Sequence, residues 1–180
     1  MKQRTSRRPT VNLVINGNPQ VLEVGVEVQP WHTLNYTLRE VLSLKGTKVG
    51  CSHGGCGSCT VLREGKPILS CTTLTIECNG ASIMTIEGLR DTSVMTAGGM
   101  RGTTTGNLHP LQQAFIDNYA FECGMCTSGM ILSAEALLNS NPDPTEDDIK
   151  EALSGNLCRC GVYPNIVKAV HEAAKVKKND

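Results

Sequence analysis

The stretch 51-CSHGGCGSC-59 decides what kind of chain this is. Cys51, Cys56 and Cys59 stand in the spacing C-x4-C-x2-C. The plant-type [2Fe–2S] pattern draws three of its four thiolates from one tight loop with that spacing and the fourth from further along the chain. Gly50, Gly54, Gly55 and Gly57 strip the loop of side chains, so several backbone N–H groups can turn onto sulfur and tune a cluster's potential. Cys71, twelve positions after Cys59, completes a quartet. Four thiolates also satisfy tetrahedral Zn²⁺, but zinc sites more often pair two short C-x2-C knuckles at hairpin tips, and the cluster is the preferred reading. His53 would be a Rieske-like ligand only in place of a cysteine, so it is expected as a loop residue.

Regular elements are expected on both sides of this loop. Val11, Leu13 and Ile15 alternate before Asn16-Gly17-Asn18, and Val21 to Val24 resumes the pattern, which predicts a β-hairpin. Leu34, Leu38, Val41 and Leu42 recur at helical spacing after a Thr33 cap, with Gly46 beyond the last turn. Residues 60–62 and 68–72 read as strands around the turn 64–67, which returns Cys71 to the loop, and residues 82–86 alternate as a last strand. Cys78, in the run 74–78, is expected as a small half-buried strand residue rather than a redox thiol. Trp31 and His32 are expected to be packing or surface residues.

Residues 90–107 are rich in Gly and Thr with almost no apolar periodicity, and the domain boundary is placed there as a linker. Beyond it the period changes. Leu111, Phe115, Ile116 and Tyr119 suit one helix, and Met130, Ile131, Ala134, Leu137 and Leu138 suit a second. Thr145-x-x-Asp148 resembles a capping box opening a third through Leu153, and Pro164 can open a fourth running to about Val176. The division predicted is a basic arm 1–9, a domain 10–89, a linker 90–107, a compact helical domain 108–176 and a tail 177–180. Domains of roughly 70–90 residues hold thin hydrophobic cores, so metal sites would be structural as well as functional.

A second quartet lies in the helical half: Cys123-x2-Cys126, thirty-one intervening residues, then Cys158-x-Cys160. Cys123 and Cys126, three apart at the start of a helix, are expected to share a face where the N-terminal dipole favours thiolate charge. Cys158 and Cys160 fall in a loop ahead of the fourth helix. A cluster clamped between two loop-to-helix junctions, a redox dithiol at CGMC and a zinc site are all open on spacing alone.

Composition narrows the function classes. Seventeen basic residues balance seventeen acidic ones, so no global field favours nucleic acid or a membrane surface. Nine cysteines, an odd count with no long apolar span, point to a reducing interior and hence the cytoplasm. Arg7-Arg8 could open a twin-arginine export signal, but VNLVINGN beyond it is too short and polar, and a basic arm is expected instead.

Taken together, KVGCSHGGCGSCTV, LHPLQQAF, ECGMCTSGM and GNLCRCGVYPNIVKAV resemble the [2Fe–2S] subunit, or N-terminal region, of the molybdenum hydroxylases. That family includes xanthine dehydrogenase, aldehyde oxidase and carbon monoxide dehydrogenase. The resemblance runs from about Val11 to Val176. It implies an α+β fold, with an N-terminal β-grasp ferredoxin-like domain followed by a C-terminal four-helix bundle domain. It also implies two [2Fe–2S] clusters, the first on Cys51, Cys56, Cys59 and Cys71, the second on Cys123, Cys126, Cys158 and Cys160. The second would lie beside molybdopterin on a large catalytic subunit, with Met125 and Cys160 nearest the pterin. The first would lie towards an FAD-binding medium subunit or an outside acceptor. Electrons would pass singly from the second to the first, and the chain would have no substrate site of its own. No phosphate-cradling loop of the G-x-x-x-x-G-K-[ST] or G-x-G-x-x-G type is present, which agrees with flavin on another chain. Three positions depart from the family pattern: Met125 stands where Gln is usual, Gly161-Val162 replaces Thr-Gly, and Ser52 replaces an acidic residue. Segment 96–107 is longer than is typical.

Overall fold

The structure, a computed structural model, describes residues 8–89 and 108–177. The expected linker, most of the arm and residues 178–180 lie outside them. Strands β1 (Thr10–Ile15) and β2 (Asn18–Glu23) form the first hairpin. Asn16 and Gly17 both take positive φ (52° and 77°), the type I′ turn that matches strand twist. After α1 (Leu34–Tyr36) come β3 (Thr60–Arg63), β4 (Lys66–Leu69) and β5 (Ser82–Met84). The five strands make one mixed sheet in the order β2-β1-β5-β3-β4, parallel only where β1 meets β5. With the helices α2 (Pro110–Asp117), α3 (Thr127–Ser140), α4 (Glu146–Ala152) and α5 (Tyr163–Lys177), the fold is α+β.

Three local expectations are corrected. The second hairpin turns on Glu64 and Gly65 alone, again both at positive φ, so Lys66 and Pro67 belong to β4. Proline is tolerated there because β4 is an edge strand. The first helix keeps α geometry for one turn only and continues as a π-helical turn, Thr37–Val41, with Leu42 N–H donating to Thr37 O. The Arg39 guanidinium reaches Lys45 O (3.0 Å) and Thr47 O (2.7 Å), fastening the chain that leaves it. Cys78 ends a 3₁₀ turn, Thr75–Cys78, rather than lying in a strand, and it is fully buried. Its thiol faces Leu74 O at 3.7 Å, so local bonding rather than alternation settles that segment.

Two apolar cores share β3. Val61 joins Val11, Leu13, Ile15, Leu34, Leu38 and Ile83 on one face of the sheet. Leu62 points the other way, into the core of Leu111, Phe115, Met130, Leu132, Ile166 and Val170. Successive strand side chains alternate faces, so a strand buried on both sides serves both layers. The helical half is therefore packed on the sheet.

Capping is well developed. His109 Nδ1 accepts the Leu111 N–H (3.3 Å) at the start of α2, while its Nε2 lies 3.6 Å from Glu135 Oε2 on α3. At α4, Thr145 Oγ1 accepts the Asp148 N–H (3.2 Å) and Asp148 Oδ2 accepts the Thr145 N–H (2.8 Å). Thr145→Ala should cost about 1 kcal/mol, read as a lowered midpoint in thermal unfolding. The Thr145 backbone N–H, then its hydroxyl, hold the Asp148 carboxyl below its usual range. The depressed pKa makes this contribution full above the ordinary carboxylate range and lost as pH falls below that range through the depressed value, so the wild-type advantage over Thr145→Ala should shrink in acid.

Candidate metal centres

The loop 51–59 is built to aim amides at sulfur. Ser52, Gly54 and Gly57 take positive φ (59°, 82° and 71°), winding the chain around Cys51. Gly55 N–H lies 3.2 Å from Cys51 Sγ. The His53 amide, helped by the Cys56 thiol and the amides of Gly55 and Cys56, outweighs burial and draws the Cys51 thiol down to about 6. Across the loop, burial and then the neighbouring Cys59 push Cys71 up to about 11. The sulfurs thus associate as Cys51 with Cys56 and Cys59 with Cys71. His53 turns its ring away, with Nδ1 2.6 Å from Cys51 O.

Cys71 is brought back by polar contacts that sequence reasoning did not single out. Ser70 Oγ donates to Cys59 O (2.7 Å), and buried Asn35 donates from Nδ2 to Ser70 Oγ (3.3 Å) and Lys48 O (3.2 Å). Asn35 and Leu34 also donate their N–H groups to Ser70 O and Thr73 O. The first turn of α1 therefore clamps the turn carrying Cys71. Trp31 stands exposed beside His32, whose ring packs on Tyr36 at 4.2 Å.

In the second quartet the expected helical face is corrected. Helix α3 begins only at Thr127, Cys126 is its cap residue, and Cys123 lies in a preceding turn with Gly124 at φ 79°. Two residues in such a turn can bring sulfurs together without sharing a helix face. The expected dipole effect on thiolate charge is also outweighed, because burial and then Cys158 push the Cys126 thiol up to about 12. Cys158 and Cys160 occupy the loop ahead of α5. Burial is the largest single influence on Cys158 and raises it, yet the Val162 amide, Cys126 and the amides of Gly161 and Cys160 together hold it below its ordinary value. Cys126 stands with Cys158, and Cys123 with Cys160.

This donor chemistry fits a two-iron cluster better than a single ion. One tetrahedral ion needs its thiolates around a common point at about 2.3 Å. Two irons bridged by sulfide instead require sulfurs in twos, with amides directed at them. All nine cysteines are free of disulfides.

The two sites touch each other. Leu157 N–H donates to Cys56 O at 2.9 Å, one residue before Cys158. Asn156, 4% exposed, donates from Nδ2 to Gly57 O (3.0 Å) and Thr60 Oγ1 (3.2 Å) and accepts on Oδ1 from Ser133 Oγ (2.8 Å). Its sequence signal was the GNLCRC string, which carried no hint of the partner loop. Around the second quartet Tyr119, Phe121, Leu157 and Met125 are exposed, Met125 by 47%.

Comparison with known proteins places both halves. Residues 15–80 match the 2Fe-2S iron-sulfur cluster binding domain family, and residues 85–171 match the [2Fe-2S] binding domain family. The chain is 43% identical over 179 residues to the aldehyde oxidoreductase iron-sulfur-binding subunit PaoA of Escherichia coli K12, covering 91% of this chain and 71% of that one. It is 42% identical to the nicotine 6-hydroxylase small subunit of Paenarthrobacter nicotinovorans, covering 93% and 91%. The crystal structure of quinoline 2-oxidoreductase from Pseudomonas putida 86 contains a chain that superposes with a TM-score of 0.81 at 39% identity, over 97% of this chain and 98% of that one.

Proposed function

This chain belongs to the [2Fe–2S] iron–sulfur subunits of the molybdenum hydroxylase family, and from that premise we propose that it is the electron-transfer subunit of a multi-subunit enzyme, linking a molybdopterin centre on a large catalytic partner to a flavin or external acceptor. Cys51, Cys56, Cys59 and Cys71 hold the first cluster, and Cys123, Cys126, Cys158 and Cys160 the second. A bound [2Fe–2S] cluster exchanges one electron at a time, which divides a two-electron substrate oxidation into single steps. The protein's part is to hold two such groups at fixed separation, shield them and connect them.

The hydrogen bond from Leu157 N–H to Cys56 O carries this reading. It joins the backbone of a first-site ligand to the residue beside a second-site ligand, so a short run of covalent bonds with one hydrogen bond spans the two centres. Sheet and α1 support a β-grasp ferredoxin-like domain over 10–89, and α2 to α5 support a four-helix domain over 108–176, with 1–9, 90–107 and 177–180 as arm, linker and tail. The exposed apolar residues around the second quartet suit a large partner interface, and they support the reading that Met125 and Cys160 lie near the pterin. The exposed Ser52, His53 and Gly55 at the first loop suit the FAD-binding medium subunit. Among the described residues no helix is long and apolar enough to cross a membrane. Nine free thiols accord with a reducing cytoplasm.

Anaerobically purified chain should contain four irons and four labile sulfides and show two distinguishable EPR signals after reduction. In the holoenzyme, Cys160→Ala should remove the second-site signal, slow reduction by substrate and leave the first-site signal in place. A colourless zinc protein, or unchanged reduction kinetics in the variant, would defeat the proposal.

A further inference from the structure

Cys158 opens the loop that leads into α5, and its backbone N–H does not point at sulfur. It donates to Tyr163 Oη at 2.7 Å, a short bond from the first residue of the loop to the first residue of the helix. The bond closes residues 158–163 into a ring. Within that ring Gly161 takes φ 83°, and Val162 is buried and starts the helix by accepting the Ile166 N–H. Tyr163 is 40% exposed, so core packing does not account for its ring. The hydroxyl is the part of the side chain that touches the loop.

We propose that Tyr163 is a positioning residue for the second centre: by taking the Cys158 N–H on its phenol oxygen, it holds closed the loop that carries both Cys158 and Cys160. The inference rests on Cys158 being a cluster ligand, as assigned above. Amide donation to ligating sulfur stabilises the reduced, more negative cluster and raises its potential. Removing the hydroxyl releases the ring, loosens the backbone around these two ligands and lowers the potential of that cluster alone.

The test is Tyr163→Phe in the full chain, loaded anaerobically with iron and sulfide, followed by EPR-monitored redox titration. The phenyl ring keeps the same shape, and its partial exposure leaves little burial to lose. The second-site potential should fall by an amount equal to about a tenfold shift in its one-electron equilibrium, 59 mV, with broadened lines, while the first-site signal stays where it was. Loss of iron from the second site alone would also support the proposal. Unmoved second-site potential and line shape would overturn it, and so would collapse of both signals, which would assign Tyr163 to the fold as a whole. Cys158→Ala, titrated in parallel, separates this inference from its premise. If the second signal survives there, the ligand assignment is wrong. If it is lost there while Tyr163→Phe changes nothing, only the role of Tyr163 fails.

Discussion

Gly57→Val is expected to separate the two halves of the protein. At φ 71° the position already excludes a β-branched residue without strain of about 1–3 kcal/mol. A Cβ there would also lie 2.4 Å from Gly155 O, 2.6 Å from Asn156 Nδ2 and 2.9 Å from Asn156 Cα. Two of those atoms are backbone and cannot swing aside. The Gly57 carbonyl meanwhile receives the Thr60 N–H (3.0 Å), the Thr60 hydroxyl (2.7 Å) and the Asn156 amide (3.0 Å), so moving the peptide to relieve the clash breaks bonds to both halves. Strain, lost bonds and displaced packing together should exceed about 4 kcal/mol, in the rare tail of single substitutions. Calorimetry should show the single transition replaced by two, both lower than the parent. Gly129→Ala, whose new methyl would sit 2.4 Å from Gly57 O, should act in the same direction more mildly. A Gly57→Val protein that melts once, within a degree or two of the parent, would show that this contact does not hold the halves together.

Asn156→Leu should weaken the same contact and slow electron exchange between the two centres. Leucine matches asparagine in length but offers neither donor nor acceptor. The buried Ser133 hydroxyl loses the oxygen it donates to, and Gly57 O and Thr60 Oγ1 each lose a donor. Orphaned buried groups cost about 1–3 kcal/mol each, and because Thr60 still donates to Gly57 O the total should be about 2–4 kcal/mol. The larger consequence lies next door. Leu157 is the following residue, and its N–H bond to Cys56 O depends on Asn156 keeping the two loops pressed together. Electron equilibration between the centres, followed by rapid reduction of the holoenzyme, should slow by at least about tenfold, because a barrier 1.4 kcal/mol higher is already tenfold in rate. The magnetic interaction between the two reduced signals should weaken with it. Parent-like stability together with a parent-like exchange rate in Asn156→Leu would remove Asn156 from this role.

The cysteine spacings, the Asn16-Gly17 turn, the Thr145 capping box and the order of strands before helices are all legible from the chain, because each depends on residues close together in sequence. Cys78 misleads for the same reason: the alternation at 74–78 reads as strand, yet a 3₁₀ turn held by local backbone bonds prevails. The run from Leu34 to Leu42 has helical spacing, but spacing does not separate an α-turn from the π-turn that Arg39 and the outgoing chain fasten in place. Cys123 and Cys126 stand a helical interval apart, though Gly124 bends them into a turn before α3 begins.

Local chemistry along the chain was thus enough to mark eight cysteines in two sets and to divide the molecule into a strand-rich and a helical part. Which partners Leu62, Asn156 and Tyr163 would find could not be read there. The Leu62 and Asn156 contacts join the two halves, Gly57 and Asn156 being 99 positions apart, and no periodicity or motif encodes a pairing that exists only once two separately built layers have packed; the Tyr163 bond spans five positions but needs the loop already folded back on the helix start.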